Sequence, residues 1–173
     1  MPTLGPVSMK RLALVNPILA QTIQRLAYQM SETIGVTQGL RTEKEQAALF
    51  AQGRQPLDVV NAMRLVVGWA PLDVSANIEP VTKAQPGYSW HEFGLAVDVV
   101  PLESSGEPDW DTDHPVWQEI ISKGTALGLT SGISWKDEPH FQLTGRFPVT
   151  PTDEVREIYS VKGLNGVWQA AQV

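Results

Sequence analysis

The sequence predicts an α+β domain, on three observations. Residues Pro17 to Ile34 (PILAQTIQRLAYQMSETI) place Ile18, Leu19, Thr22, Ile23, Leu26, Met30 and Ile34 mostly on one stripe of a helix. Pro115 to Leu127 (PVWQEIISKGTAL) reads as another helix. Two short runs with strand character, Leu95 to Val100 and His140 to Leu143, stand on either side of that helix, so they are not consecutive elements. Helices flanking a few non-consecutive strands give an α+β arrangement.

Each element has local signals. In the first helix Pro17 sits at the first turn, where a missing N–H costs nothing, and Gly35 is expected to end it. Val36 to Arg41 (VTQGLR) is expected to form a short strand and turn. A helix starts at Thr42, where TEKE puts Glu45 in capping-box position, and runs to Gly53. Residues 54–80 hold three prolines and read as an irregular segment with one short helix around Val59 to Val66. DTDH supplies cap candidates for the helix at Pro115. A last helix is expected over Asp153 to Tyr159, with the tail GLNGVWQAAQV packing back through Val167 and Trp168.

Composition bounds the function. The 173 residues are expected to make one domain, with a C-terminal helical tail of about 151–173 packed on it. The net charge of −6 argues against nucleic acid as the main partner, because phosphate binding needs a basic face. With no cysteine there is no thiolate site, so any metal must be held by His, Asp or Glu. The apolar run LALV is broken by Asn16 and Pro17, and no window reaches the ~18 apolar residues of a membrane span. The expectation is a monomer made in the cytoplasm without a signal peptide and without membrane insertion.

The chemistry centres on SWHEFGLAVDVV. Asp98 lies in an apolar strand, on the face of Ala96 and Val100, where an uncompensated carboxylate costs several kcal/mol. A divalent cation is a natural compensator. The seven-residue interval from His91 to Asp98 is odd, so a straight strand would point the two apart, and Gly94 permits the bend that brings them together. His140, in DEPHFQL, offers a third ligand. Two His and one carboxylate recur in catalytic zinc sites, and the same trio suits non-haem iron(II). A metal-bound water needs a base, and Asp137 and Glu138 both stand just before His140. Spacing alone does not choose between them.

SxHxxGxAxD (Ser89, His91, Gly94, Ala96, Asp98) followed by Trp135, Asp137, Pro139, His140 and Phe141 resembles the M15 family of zinc D-Ala-D-Ala carboxypeptidases and L-alanyl-D-glutamate endopeptidases. VTQGLRTEKEQAALFAQGR and VTKAQPGYSWH resemble the branch that includes phage endolysins. The resemblance implies a hedgehog/DD-peptidase-like fold with a small, mainly antiparallel sheet. It implies Zn2+ on His91, Asp98 and His140, and Asp137 as the catalytic base. It also implies that Arg41 holds substrate and stabilises the developing oxyanion, and that Ser89 contacts the substrate's polar end. From the residues alone, the structural readings are favoured: Arg41 as a surface ion-pair partner of Glu43 or Glu45, and Ser89 as a turn or cap hydroxyl. The implied activity is zinc-dependent cleavage of the peptidoglycan stem peptide after release to the cell wall. The L-alanyl-D-glutamate endopeptidase is favoured over a D-Ala-D-Ala carboxypeptidase or dipeptidase, and over a non-catalytic wall-binding module. Residues 55–80 exceed the connection the family pattern leads one to expect, and part of them is expected to shape the cleft.

Two further features read as structural. Asp109, Asp111 and Asp113 alternate as at the start of a calcium loop, yet His114 and Ile120 stand at its sixth and twelfth positions, so the stretch reads as a helix N-terminus. Of six tryptophans, Trp90 and Trp135 are expected to line the cleft, and Trp69, Trp110, Trp117 and Trp168 to pack.

Overall fold

A computed structural model describes residues 3–173. The elements in chain order are α1 (Pro6–Leu12), α2 (Pro17–Gln29), β1 (Ile34–Gln38), α3 (Glu43–Ala51), α4 (Leu57–Val66), β2 (Ala96–Pro101), α5 (Pro115–Ala126), β3 (Thr130–Ser131), β4 (His140–Gln142) and α6 (Asp153–Ala171). Short 3-10 turns cover Ser75–Asn77, Trp90–Phe93 and Gly132–Trp135. The four strands form one antiparallel sheet in the order β1-β2-β4-β3. The architecture is α+β, as the sequence predicts.

The sheet's register explains why an aspartate stands in an apolar strand. Val97 pairs with Phe141, Ala96 with Gln142 and Asp98 with His140. Side chains alternate across a strand, so Val97, Val99 and Phe141 share the face that meets α2 and α5. All three have 0 % exposure and join Leu19, Ile23, Leu26 and Ile120 in the larger core. The opposite face carries Ala96, Asp98, His140 and Gln142. A second core, of Trp90, Phe93, Leu95, Phe147, Val155 and Val167, packs α6 beside that face. Gly124 lets α5 approach the sheet, since a Cβ there would lie 2.5 Å from the Phe141 ring.

Several elements depart from the sequence-based expectation. The first helix ends at Gln29, not Ile34, and Gly35 is a strand residue paired with Val100. Ile34 is claimed by β1, where its partner across the ladder is Pro101; tertiary pairing outweighs the continuing apolar stripe. Asn16, which interrupts the apolar run, caps α2 by accepting from the N–H groups of Ile18 and Leu19. The helix α1 has no counterpart in the expectation. The last helix continues to Ala171 through a kink at Gly163, rather than ending at Tyr159. Its tail does pack back, with Val167 fully buried and Trp168 Nε1 donating to the Phe93 carbonyl. Trp110 is 59 % exposed and does not pack, whereas Trp117 is buried. The cap of α5 is His114, whose Nδ1 faces the Val116 N–H, and Asp109 and Asp111 close turns leading into it.

Candidate metal and catalytic site

Three elements converge on the polar face of the sheet. His91 rides on the 3-10 turn Trp90–Phe93, which Gly94 terminates in left-handed conformation (φ 64°) before β2 begins. Asp98 comes from β2 and His140 from β4, directly opposite in the ladder. The bend at Gly94 thus achieves what a straight strand could not. His91 Nε2 lies 3.2 Å from His140 Nδ1 and 3.3 Å from Asp98 Oδ1, and His140 Nδ1 lies 3.6 Å from the same oxygen.

Hydrogen bonds to obligate acceptors define which nitrogens face the cluster. His91 Nδ1–H donates to the Gly39 carbonyl at 3.0 Å, so the neutral ring presents the Nε2 lone pair inward. His140 Nε2 faces Gln142 Oε1 at 2.9 Å, so its Nδ1 lone pair points inward as well. With both rings neutral, two imidazole lone pairs and a carboxylate oxygen therefore meet with no donor among them. Such a set is repulsive unless a proton or a cation lies at its centre. A tetrahedral ion with bonds of about 2.0–2.1 Å would separate its ligand atoms by roughly 3.3 Å. The observed edges of 3.2, 3.3 and 3.6 Å fit that spacing.

The electrostatics follow from burial and these contacts. Burial pushes the His91 imidazole below its ordinary value. Burial acts the same way on His140, but the hydrogen bond and charge of Asp98 outweigh it and raise the group. Against the cost of burial, the two histidines hold Asp98 well below the usual carboxylate range. Its side chain is 17 % exposed. Asp137 is raised, chiefly by burial and then by the Asp98 charge.

The cluster lies in a cleft of about 900 Å³. Asp137 lines it with Oδ2 3.9 Å from His140 Nδ1, whereas Glu138 is not among its walls. The 3-10 turn Gly132–Trp135 sets Asp137, because a Cβ on Gly132 would lie 2.3 Å from the Asp137 carbonyl and 2.8 Å from His140 Cβ. Arg41 lines another wall and is buried, which lowers its affinity for its proton. It makes no ion pair with Glu43 or Glu45. Its Nη1 donates to Gln46 Oε1 at 2.7 Å, its Nη2 stands 4.0 Å from Asp98, and its Nε–H has no partner among the described residues. Gln46, fully buried, donates in turn to the Ala84 carbonyl at 2.7 Å. Ser89 lines the cleft, and its backbone N–H is held by Glu92. Trp90 and Trp135 line it too. Of the long 55–80 segment only Pro80 reaches the cleft, which is walled onward by Val81 to Gln85.

Gln46 and Gln142 were not legible as site residues from sequence. Gln46 follows three charged residues in α3 and Gln142 ends a three-residue strand, and only the fold reveals what either amide oxygen accepts.

The family model described as D-alanyl-D-alanine carboxypeptidase, one of the M15 peptidases, matches residues 82–143, the stretch that holds all three cluster residues. The peptidoglycan L-alanyl-D-glutamate endopeptidase CwlK of Bacillus subtilis is 28 % identical over 142 residues, covering 75 % of this chain and 73 % of that protein. Over this stretch the chain is similar to the M15 peptidases. Two solved structures overlay more loosely. The L-Ala D-Glu endopeptidase ChiX of Serratia marcescens, at 25 % identity, gives a TM-score of 0.48 over 79 % of this chain and 86 % of that one. The D,D-dipeptidase VanXYg, bound to a D-Ala-D-Ala phosphinate analogue, gives 17 % identity and a TM-score of 0.44 over 90 % and 58 %. Among the described residues, no helix is long and apolar enough to cross a membrane.

Proposed function

We propose that this protein is an M15-type, zinc-dependent peptidoglycan hydrolase that cuts the stem peptide between L-alanine and D-glutamate. The observation that carries the metal assignment is the donor-free triangle of His91 Nε2, His140 Nδ1 and Asp98 Oδ1. These three side chains would hold Zn2+, which when bound polarises a carbonyl and makes water a nucleophile near neutral pH.

The chain's own residues do the rest. Asp137, beside the triangle, accepts the proton as water adds to the amide carbonyl carbon. As the C–N bond breaks, it returns that proton to the leaving nitrogen, so no net proton is consumed in the step. Its raised proton affinity suits both halves of this exchange. Its place in the cleft favours it over Glu138. Arg41, held by Gln46 with its Nε–H uncommitted, faces the negative charge that grows on the carbonyl oxygen, a contact worth a few kcal/mol. Ser89 offers a hydroxyl to the substrate from the cleft wall.

The endopeptidase specificity is supported by the match to CwlK over three quarters of the chain. Digestion of purified cell wall, followed by mass spectrometry of the new termini, tests it. New L-alanine carboxyl ends and D-glutamate amino ends are expected; release of free D-alanine alone would establish a carboxypeptidase instead. Asp137→Ala is expected to abolish hydrolysis while leaving zinc content intact, and unchanged hydrolysis would move the base to another residue.

A further inference from the structure

We propose that Gln142 is a positioning residue that fixes the tautomer of His140 and ties it to the far wall of the cleft. The proposal rests on the reading of the His91, Asp98 and His140 cluster as a metal site. Gln142 follows His140 by two residues on β4, so both project from the same face of the sheet. It is 2 % exposed. Its amide has two partners: Nε2 donates to the Val149 carbonyl at 3.0 Å, and Oε1 faces His140 Nε2 at 2.9 Å.

The orientation of an amide is ordinarily ambiguous, because its oxygen and nitrogen can exchange places. Here the Val149 carbonyl removes the ambiguity. A carbonyl oxygen only accepts, so the NH₂ group must face it, and the amide oxygen must face His140. His140 must then carry its proton on Nε2, and the neutral ring is left with its lone pair on Nδ1, the atom that faces His91 and Asp98. One backbone carbonyl thereby dictates, through one side chain, which nitrogen of His140 is available as a ligand. The same carbonyl accepts from Trp90 Nε1 at 2.8 Å. Trp90 precedes His91, so Val149 is hydrogen-bonded to the neighbourhoods of both histidines, while Val149, Thr150 and Pro151 themselves line the cleft.

Two variants in the full chain test this. Gln142→Met keeps the volume and removes both hydrogen bonds. Gln142→Glu keeps an acceptor for His140 and removes the donor to Val149. In the metal-free protein, above the imidazole titration, ¹⁵N shifts report the tautomer of each histidine. His140 is expected to be protonated on Nε2 in the wild type and in Gln142→Glu, and to lose that preference in Gln142→Met, with His91 unchanged in all three. Zinc affinity, measured by competition with a chromophoric chelator, is expected to fall about 10- to 100-fold in Gln142→Met and to recover in Gln142→Glu. Wild-type tautomer and affinity in Gln142→Met would overturn the proposal. Should the wild type bind no zinc, the metal reading fails instead, and the tautomer measurement still decides the role of Gln142.

Discussion

On the helix-facing side of β2 and β4, Val97, Val99 and Phe141 are completely buried, whereas in residues 54–81 only Val60 is buried and Leu65, Val66, Val74 and Ile78 stand 69–77 % exposed. The first region is held by apolar packing in the larger core and by the antiparallel pairing of β2 with β4. The second is held largely by side chains bonded to backbone. Asn61 exchanges two hydrogen bonds with Leu72, Gln52 donates to the Ala76 carbonyl, and Asn77 accepts from Gly53 N–H. The site draws Asp98 and His140 from the other face of these same strands, and His91 from the adjoining turn. Precise placement of donor atoms needs a stiff foundation, and the peripheral segment is free of that demand.

The contrast breaks most visibly at two glycines. Gly132→Ala drives a methyl group into the Asp137 carbonyl and His140 Cβ, so a shift near 1 Å is forced inside the site. A loss of about 100-fold in kcat/KM is expected. Gly53→Ala is as crowded, with a Cβ 2.1 Å from the Glu79 carbonyl carbon and φ of +71°, but it strains the peripheral segment. Its expected outcome is a stability loss of about 2 kcal/mol in denaturant titration with hydrolysis changed less than about threefold. Equal losses of activity in both variants would erase the distinction between the regions.

Gln46→Leu sharpens the comparison at the seam where α3 meets the cleft wall. It strands Arg41 Nη1 and releases the Ala84 carbonyl. We expect kcat/KM to fall about tenfold through a mispositioned guanidinium, while bound zinc stays at wild-type stoichiometry.

The smallest effect concerns pH. Asp137 has a folded-state value above 3.8, so between that value and its folded one the native state holds more protons than the unfolded chain. Stability therefore falls as pH rises through this window, and the penalty is complete above it. Metal-free Asp137→Asn lacks the penalty. Its Tm is expected to exceed the wild type by about 1–2 °C at pH 7 and to match it near pH 3, by scanning calorimetry.

Much of this was legible before any coordinates. Asp98 in an apolar strand demanded a compensator, and the bend at Gly94 with the distant His140 identified the candidates, because burial of charge is a steep cost that few arrangements satisfy. Thr42 and Glu45 announced the start of α3 because a capping box is local chemistry. The end of α2 was not legible. Ile34 satisfies a helical stripe and a strand equally well, and only pairing with Pro101 decides between them. Gln46 and Gln142 were silent for a related reason. An amide's role depends on what its two ends meet, and those partners lie on other segments, Arg41 and Ala84 for one, His140 and Val149 for the other.

The most direct test is a zinc titration of the purified protein, following metal-to-protein ratio and thermal stability in the wild type, Asp137→Ala and His140→Ala. One tightly bound ion with a raised Tm in the first two proteins, and neither in the third, is the result expected if the histidine pair and Asp98 grip a common cation. Stoichiometric zinc retained by His140→Ala, or none taken up by the wild type, would contradict it.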